Sequence, residues 1–417
     1  MGLAEYREEM LTCQRCSACK FIPLELVKGY RRVEICPSIK RLNFHAYSGG
    51  GRMAIGMALL EGRISYSQSL LEVLYNCQMC GGCDVSCKYA MDMEVLEPMR
   101  EMRIEAVEKG ATIPVFEAMI KNLREEGRMV RSSLAWQDGL STKDYDRDGA
   151  PTVFHVGCRI RAEESLLGVA RSSLMLLEKA GVDVRIGRNL EMCCGGRAYD
   201  LGYRREFLDH ARRYVRRLRE AGAKRLVTAC AECYFTFKVL YEKFGIRDDM
   251  EVLHMSELLL TLLREGKIKT GRRLRMRVTY HDPCHLGRLG EPYIPYEGRR
   301  LPGHLILFDP PKTFRRGTHG VYEPPRKVLK AIEGVEVFEM ERRKEYAWCC
   351  GAGGGVAEFN PSFALFTAKE RLEEARDTGA DGVVTACPGC KANLSKAKED
   401  QDLQILDIAE LLARASL

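Results

Sequence analysis

The chain contains 417 residues, of which 46% are hydrophobic and 18 are cysteine, and its formal net charge is +7. This length predicts two or three domains. No segment approaches the run of about 20 apolar residues that a membrane helix needs. The charged N-terminus, Met1–Met10, lacks the apolar core of a signal peptide. These features predict a cytoplasmic protein without its own membrane span, so that any association with a membrane would come through a partner.

The excess of positive charge lies partly on one predicted amphipathic helix. Its apolar stripe consists of Phe207, Ala211, Tyr214, Val215 and Leu218, and its other faces carry Arg204, Arg205, Arg212, Arg213, Arg216, Arg217 and Arg219. A solvated face is the ordinary interpretation of such charge. Docking to an acidic partner or an anionic substrate is the alternative. Nucleic-acid binding is not expected, because no recognised binding module accompanies the charge.

The cysteines fall in tight groups that are separated by cysteine-free stretches of ordinary composition. Secreted disulfide scaffolds are usually much shorter chains. In a reducing cytosol, grouped cysteines indicate metal or redox chemistry. The grouping therefore predicts metal or redox sites rather than disulfides.

Residues 1–125 are predicted to form a small, mostly helical domain with two cysteine groups, Cys13-x2-Cys16-x2-Cys19 and Cys77-x2-Cys80-x2-Cys83-x3-Cys87, with Cys36-Pro37 between them. The second group has the ferredoxin spacing, in which three close cysteines hold one [4Fe–4S] cubane and the fourth ligates the other cluster. The crossing rule assigns Cys13, Cys16, Cys19 and Cys87 to cubane 1. It assigns Cys36, Cys77, Cys80 and Cys83 to cubane 2.

Two departures from the ferredoxin pattern bear on this assignment. Sixteen residues separate Cys19 from Cys36, and Cys87 is followed by Lys88 rather than by proline. Zinc is the alternative metal, because paired Cys-x-x-Cys motifs can bind it. Two Cys-x-x-Cys-x-x-Cys triplets favour iron–sulfur clusters.

The glycine run Tyr47–Arg52 does not match a phosphate loop, because no Gly-Lys-Ser/Thr follows it. We expect a loop that opens a helix near Met53–Glu61, and another helix through Met91–Lys109. Residues 126–151 are rich in turn-forming Asp, Gly and Pro and are predicted to be a linker.

The rest of the chain contains one unit twice, at residues 152–268 and 269–417. Val227-Thr228-Ala229-Cys230 matches Val384-Thr385-Ala386-Cys387, for example. Alternating strand and helix patterns predict mostly parallel sheets. Predicted strands are Thr152–Gly157, Val182–Ile186, Arg225–Ala229, Glu251–Leu253, Arg277–His281, Val335–Met340, Gly382–Ala386 and Leu403–Leu406. The fold class is thus α plus α/β: a helical two-cluster ferredoxin-like domain followed by two duplicated Rossmann-like α/β lobes.

In each half a single cysteine, a Cys-Cys-Gly motif and a Cys-x-x-Cys motif follow predicted strands. Ligands bind at the C-terminal ends of strands in open α/β sheets, so five thiols per lobe should converge. Thirty-five residues separate Cys194 from Cys230, and 36 separate Cys350 from Cys387. Five thiolates exceed what zinc or a cubane requires. Gly195, Gly351 and Gly353 are predicted to let backbone N–H groups approach cluster sulfides.

The repeated Cys-x(n)-Cys-Cys-Gly-x(n)-Cys-x-x-Cys pattern resembles the cysteine-rich domain of the B-type component of heterodisulfide reductase, and the double ferredoxin motif is similar to the C-type component. Their fusion resembles the D-type heterodisulfide reductase family, whose relatives include the electron-input module of class II benzoyl-CoA reductase. Tyr280–Arg288 adds to this likeness. The family implies a noncubane [4Fe–4S] cluster in each lobe. By motif position its ligands, which are also the catalytic residues, are Cys158, Cys193, Cys194, Cys230 and Cys233 in one lobe and Cys284, Cys349, Cys350, Cys387 and Cys390 in the other.

The resemblance implies an iron–sulfur oxidoreductase that works as part of a complex, in which two cubanes feed two noncubane clusters that reduce a disulfide. The alternative is an electron-transfer component with no substrate of its own, as in a benzoyl-CoA reductase complex. A zinc-binding interaction protein is a third possibility. Expected partners are a flavoprotein, a cytochrome b or a catalytic reductase component, and a small anionic disulfide is the candidate substrate.

Two further features are singled out near the cysteines. His155, His281 and His285 flank the first cysteine of each lobe and are candidate proton donors or cluster tuners, with a loop-fixing hydrogen bond as the alternative role. Residues 289–319 are an insertion relative to the family pattern and carry Arg299, Arg300, Arg315 and Arg316. An ordered, basic surface loop is expected there, which would shape a substrate cleft, dock a partner or cover the second cluster.

Overall fold

In the computed structural model, the described residues are 2–88, 91–130, 145, 149–187, 190, 192–247, 249–291, 296–304, 307–312, 316–398 and 403–416. Most of the predicted linker, including its Asp138-Gly139 turn, lies outside them. Arg315 of the insertion lies outside them as well.

The N-terminal part is mostly helical, as the sequence predicts. Its α-helices are Arg7–Thr12, Pro37–Leu42, Gly49–Leu60, Gln68–Tyr75, Gly82–Cys87, Leu96–Glu108 and Pro114–Glu126. Short 3-10 turns cover Leu3–Tyr6, Ala18–Lys20, Leu24–Leu26, Tyr30–Arg32 and His45–Tyr47.

Two predicted helix boundaries are wrong. The glycine run is not a loop before a helix, because the helix begins at Gly49, where the Ser48 hydroxyl accepts the Gly51 N–H. A Cβ at Gly51 would lie 2.0 Å from the His45 carbonyl oxygen, so this first turn needs glycine. The helix predicted from Met91 begins instead at Leu96, because the Asp84 carboxylate accepts the N–H groups of Val95 and Leu96 at 2.8 Å.

Each lobe contains a four-stranded parallel sheet. The first consists of β1 (Thr152–His155), β2 (Val184–Arg185), β3 (Arg225–Thr228) and β4 (Glu251–His254), in the order β2-β1-β3-β4. The second consists of β5 (Met276–His281), β8 (Val335–Phe338), β9 (Gly382–Thr385) and β10 (Gln404–Asp407), in the order β8-β5-β9-β10. The two orders are the same once the lobes are aligned, which agrees with the internal duplication.

Helices cover both sheets. In the first lobe they are Cys158–Ala162, Leu167–Lys179, Gly196–Asp200, Arg204–Glu220, Ala231–Phe235, Tyr241–Lys243 and Met255–Arg264, with a π-helical turn at Thr236–Leu240. In the second lobe they are Glu323–Lys330, Val356–Phe359, Pro361–Arg376, Pro388–Ala397 and Ile408–Ala415.

The lobes pack against each other through two reciprocal pairs of helices. Leu167–Lys179 packs on Ile408–Ala415, and Glu323–Lys330 packs on Met255–Arg264. In each pair, one helix lies between the first two strands of its lobe and the other follows the fourth strand of the other lobe. The lobes are therefore related by an approximate twofold axis.

One hydrophobic core runs through all three parts of the chain. The ring of Phe116 lies 5.0 Å from that of Tyr75 and 6.3 Å from that of Phe359, measured between centroids. These rings join the ferredoxin-like part to the second lobe. Shared burial of this kind holds the cysteine groups in fixed positions relative to one another.

The described part of the insertion packs on the N-terminal part of the chain. Its strands β6 (Arg299–Arg300) and β7 (Phe308–Asp309) form an antiparallel hairpin. Arg300 donates a hydrogen bond of 2.6 Å to the Met91 carbonyl, and Lys312 lies 3.4 Å from an Asp92 carboxylate oxygen. The insertion therefore lies against the segment that follows the second cysteine group.

Candidate iron–sulfur centres

The structure brings together the four cysteines predicted for cubane 1. The helix Gly82–Cys87 packs on the turn Ala18–Lys20, which places Cys87 near Cys19. Cys13 and Cys16 are also close neighbours of Cys19. The Gly50 N–H donates to the Cys19 sulfur at 3.3 Å. Cys16 is exposed, whereas Cys19 and Cys87 are buried.

The four cysteines predicted for cubane 2 line one cavity, together with glycines and buried apolar side chains. This cavity is lined by Cys36, Cys77, Cys80 and Cys83. Gly49 separates it from the cubane 1 cysteines, because a Cβ there would lie 3.2 Å from the Cys83 Cβ and 3.3 Å from the Cys19 Cβ. The two groups are therefore adjacent.

The five cysteines of the first lobe line a second cavity. Its cysteines are Cys158, Cys193, Cys194, Cys230 and Cys233. The Cys158 and Cys193 sulfurs lie 3.5 Å apart. Pro388 and Gly389 of the second lobe close one side, and Arg159, Arg197 and Glu232 supply charged groups. This cavity is called the lobe 1 site below.

The five cysteines of the second lobe converge in the same way and form the lobe 2 site. They are Cys284, Cys349, Cys350, Cys387 and Cys390. Each thiol interacts with the next in the order Cys284, Cys349, Cys350, Cys390, Cys387. Ligand atoms of His281, Cys350 and Cys390 lie within 4.8 Å of one another. The N-terminal part of the chain covers this site: a Cβ at Gly354 would lie 2.4 Å from the Cys77 carbonyl oxygen.

The cysteine groups form a continuous series. The Cys80 thiol interacts with that of Cys349, which joins the cubane 2 cysteines to the lobe 2 site. Cys387 interacts with Cys230, its counterpart in the other lobe, which joins the lobe 2 site to the lobe 1 site. The order is therefore cubane 1, cubane 2, lobe 2 site, lobe 1 site.

The glycines of the Cys-Cys-Gly motifs have equivalent roles in both lobes. The Gly195 N–H donates to the Cys193 sulfur and the Gly351 N–H donates to the Cys349 sulfur, each at 3.3 Å. Gly353 has a different environment, because a Cβ there would lie 2.6 Å from the Gln78 carbonyl oxygen. Close approach of the N-terminal part of the chain therefore accounts for glycine at 353.

The three histidines singled out in the sequence are all buried beside cysteine loops. His155 Nδ1 lies 2.8 Å from the Tyr214 hydroxyl, and burial lowers the His155 pKa to about 3. His281 Nδ1 accepts a hydrogen bond of 3.0 Å from Arg371. His285 lies between Cys284, at 3.4 Å, and Asp200, at 3.6 Å. Each has a hydrogen bond or close contact that orients its ring, and the role of proton donor stays a prediction.

Buried arginines, which sequence reasoning largely missed, hold the cysteine loops together. Arg103 donates to the carbonyls of Leu74, Cys77, Asp200 and Gly354, at 2.7–2.9 Å. Arg288 donates to the carbonyls of Cys80, Glu345 and Ala347, at 2.6–2.8 Å. Arg288 belongs to the Tyr280–Arg288 motif, but no pattern distinguishes Arg103 from a surface arginine.

A buried charge cluster lies where all three parts of the chain meet. Arg100 pairs with Glu97 at 2.6 Å and with Asp200 at 3.0 Å, and Lys243 pairs with Glu97 at 2.9 Å. Burial opposes ionisation of Glu97, but Arg100, Lys243 and Arg316 outweigh it and hold the Glu97 pKa below its usual value. Arg316 of the insertion also lies 3.5 Å from Asp84. The insertion thus completes the charge balance of this cluster.

The donor set fits iron–sulfur clusters. All 18 cysteines are free thiols, and they converge in groups of four, four, five and five. Burial raises the pKa of Cys36 and of Cys87 to about 12, so these thiols would stay protonated at neutral pH without a metal. A bound metal would convert them to thiolates. N–H groups already point at Cys19, Cys193 and Cys349, as they do toward cluster sulfur atoms.

Among the described helices, none combines the length and the apolar character that crossing a bilayer requires.

Comparison with known proteins agrees with the cysteine pattern. A 4Fe-4S dicluster domain model matches residues 9–91, and a cysteine-rich domain model matches residues 152–238 and 305–395. The chain is 31% identical to the D component of the dihydromethanophenazine:CoB–CoM heterodisulfide reductase of Methanosarcina acetivorans, over 98% of this chain and 94% of that protein. It is 30% identical to the B component of the fumarate reductase (CoM/CoB) of Methanothermobacter marburgensis, over 82% of this chain and 62% of that protein.

A third relative is more distant. The EtfAB:quinone oxidoreductase of Syntrophomonas wolfei is 27% identical over 85% of this chain and 48% of that protein. The relatives share iron–sulfur redox chemistry and differ in what their names say they act on. The resemblance inferred from the sequence is confirmed: the chain belongs to the D-type heterodisulfide reductase family of iron–sulfur oxidoreductases.

Proposed function

We propose that the chain carries electrons through two cubane clusters to two noncubane [4Fe–4S] clusters, and that a disulfide is reduced at the lobe sites. The observation that carries this proposal is the continuous series of thiols from Cys80 through Cys349 and Cys387 to Cys230. A linear series with one end exposed at Cys16 and the other end at a cavity supports a relay with an entry and an exit.

The chain's own residues hold and shield the clusters. The ligands proposed for the cubanes are the two groups of four cysteines, and those proposed for the noncubane clusters are the two groups of five. Arg103 and Arg288 bind backbone carbonyls of the cysteine loops, which keeps neighbouring sites at fixed separation. The clusters would supply single electrons, and two electrons with two protons convert one disulfide into two thiols.

The lobe 1 site has the features of a place where a small disulfide binds. Val156, Ile160 and Met129 give its wall apolar surface, and Arg159 and Arg197 give it positive charge. Arg197 is held by Glu232, at 3.4 Å, and by Glu358, at 2.6 Å. A disulfide with short apolar arms and polar ends matches this lining of apolar and paired charged side chains.

The position of the insertion favours this function over the alternative of a carrier without a substrate. An insertion that filled the space between the lobes would block a disulfide. Instead, described insertion residues contact the N-terminal part of the chain: Leu289 lies against Gly81, and Gly317 lies against Val85. None of the insertion's described residues lines the lobe 1 cavity.

The test uses the purified, cluster-loaded chain with reduced methyl viologen and a panel of disulfides. We expect viologen oxidation that depends on the disulfide, with one disulfide consumed for every two viologens. Iron analysis identifies chains that carry the full complement of clusters. If such chains reduce no disulfide in the panel while viologen still reduces their clusters, the substrate-free carrier is the correct function.

A further inference from the structure

The residues between Cys19 and Cys36 form an ordered loop. This loop is longer than the segment between the third and fourth cysteines of the ferredoxin pattern. Hydrogen bonds close its base, from the Ile22 N–H to the Val33 carbonyl at 2.7 Å and from the Ile35 N–H to the Lys20 carbonyl at 2.9 Å. Buried Arg32 pairs with Asp377 of the second lobe at 2.7 Å. One side of the loop is thus held on the protein.

The loop also carries several exposed apolar side chains. The exposed side chains are Phe21 (41%), Leu24 (55%), Leu26 (46%) and Tyr30 (80%), together with Phe44 (66%) on a nearby turn. We call these five residues the entry face. They make up half of the ten large hydrophobic side chains that are exposed in the described chain. Such a concentration marks an interaction surface rather than chance exposure.

Several basic side chains lie in the same stretch of chain as the entry face. Residues 11–44 contain seven basic and two acidic side chains. Arg31 and the buried Arg32 pair with Asp377 of the second lobe, and Lys40 pairs with Glu34. Four further basic side chains are exposed or half-buried: Arg15, Lys20, Lys28 and Arg41. An apolar centre with a basic rim fits a protein partner with an apolar centre and an acidic rim.

The entry face adjoins the exposed end of the cysteine series. Cys16 is exposed and Cys19 lies directly before Lys20 and Phe21. Phe44 is next to His45, whose ring lies near Arg15 and Lys20. A protein seated on this face would therefore lie beside the cubane 1 cysteines. The lobe 1 site at the other end is a cavity, which suits a small molecule better than a protein.

We propose that the entry face docks an acidic one-electron carrier protein, which passes its electron to the cubane 1 site. The carrier is oxidised by one electron for each electron that the chain accepts, and no bond is made or broken. This inference rests on the proposed relay and adds the kind of partner that feeds it. A lipid surface is the competing occupant of an apolar, basic face. The adjoining cubane 1 cysteines favour an electron carrier.

The experiment measures how fast a reduced plant-type [2Fe–2S] ferredoxin, used as the acidic carrier, reduces the cluster-loaded chain in stopped flow. The test variant is Lys28→Glu/Tyr30→Ser, which alters two exposed side chains away from the cysteines. The matched control is Arg212→Glu/Arg216→Glu on the basic face of the helix Arg204–Glu220, where both arginines are exposed. Methyl viologen reduction of all three proteins reports the relay itself.

We expect the second-order rate with ferredoxin to fall at least about tenfold in the test variant and less than about twofold in the control. The wild-type rate should decrease as salt increases, because long-range steering is screened. Viologen should reduce all three proteins equally.

Four outcomes would overturn the proposal. Ferredoxin could reduce the test variant at the wild-type rate, or the control could lose as much as the test variant, which would place docking on the basic helix. Binding to phosphatidylglycerol vesicles that is lost in the test variant, without any effect on the ferredoxin rate, would identify a lipid surface. Failure of viologen to reduce the wild-type clusters would instead disprove the relay, and the docking proposal with it.

Discussion

At the scale of single residues, buried arginines hold the cysteine loops together by hydrogen bonds to their backbone carbonyls. The Arg103 side chain is 1% exposed and binds backbone carbonyls from the first part of the chain and from both lobes. Arginine suits this position because its guanidinium has five donors in a fixed plane and keeps its charge. The carbonyls of several loops are thereby satisfied by one side chain, which holds neighbouring cysteine groups in place.

Among the described insertion residues, Arg316 is expected to contribute strongly to stability. It lies 3.5 Å from Asp84 and 3.8 Å from Glu97. Burial raises the Asp84 pKa, and Arg316 is the largest opposing influence. We expect Arg316→Ala to reduce the free energy of unfolding by about 3 kcal/mol, because buried carboxylates lose a partner. Chemical denaturation with guanidinium measures this change.

Arg299→Ala is the matched control, since Arg299 belongs to the same insertion but is 77% exposed and pairs with the half-exposed Asp309. We expect a change within about 0.5 kcal/mol for this variant. Equal effects of the two substitutions would contradict the conclusion that Arg316 stabilises the N-terminal part of the chain through its buried ion pairs.

At the scale of elements, the glycine-rich segment after Cys350 shows how a loop serves two purposes. Its first glycine, Gly351, directs an N–H to the Cys349 sulfur. Gly353 and Gly354 instead let the Cys77–Gln78 backbone approach to contact distance. The sequence predicted the first role from the Cys-Cys-Gly motif. It did not predict the second, because a glycine run does not say which backbone will pack on it.

The variant Gly354→Ala tests this contact. The φ of Gly354 is +60°, and the Cβ of an alanine there would lie 2.4 Å from the Cys77 carbonyl oxygen. We expect a loss of stability of more than about 2 kcal/mol, from left-handed backbone strain combined with overpacking. Electron transfer from the cubanes to the lobe sites should also slow, as measured by rapid-freeze EPR.

Gly379→Ala separates the two causes, because Gly379 has a φ of +70° but no atom within 4 Å of the new Cβ. This control should lose about 1 kcal/mol from backbone strain alone and should transfer electrons at the wild-type rate. Similar losses in both variants would mean that the contact between Gly354 and Cys77 adds nothing.

The duplicated strands were largely predictable at this scale. The predicted strands Arg225–Ala229 and Gly382–Ala386 correspond to β3 and β9. A short buried run with β-branched residues before Cys-x-x-Cys is typical of a strand. The helix predicted from Met91 was wrong, since its start depends on Asp84, which lies 12 residues before Leu96. The Rossmann-like character of the lobes stays a prediction, whereas their parallel sheets are confirmed.

At the scale of the whole molecule, the series of cysteine groups implies a direction. The lobe 2 site contacts the cubane 2 cysteines through Cys349, and the lobe 1 site is reached only after Cys387 and Cys230 in the described structure. Two sites that the duplication makes alike therefore occupy different positions. The lobe 2 site packs on the Cys77–Gln78 backbone, and the lobe 1 site lines a cavity that Met129 and Val130 also border.

Substitution of one ligand in each lobe tests the order. Cys349→Ser and Cys158→Ser should each lose about four irons per chain. We expect Cys158→Ser to keep three reducible clusters, including that of the lobe 2 site. In Cys349→Ser, the cubanes should be reduced while the lobe 1 cluster fills much more slowly than in wild type. EPR after freezing at successive times measures each cluster, and wild-type filling of the lobe 1 cluster in Cys349→Ser would refute the order.

The family, the duplicated architecture and the grouping of 18 cysteines are predictable from the amino-acid order, because they depend on local spacing and on the period of short buried strands. The three-dimensional fold sets which cysteine groups are neighbours, where the described part of the insertion lies, and which residues line the lobe 1 cavity. Those features depend on contacts between residues far apart in the chain, such as Cys80 with Cys349 and Arg316 with Asp84. No local pattern encodes such contacts, since they arise only when separate elements bury a common core.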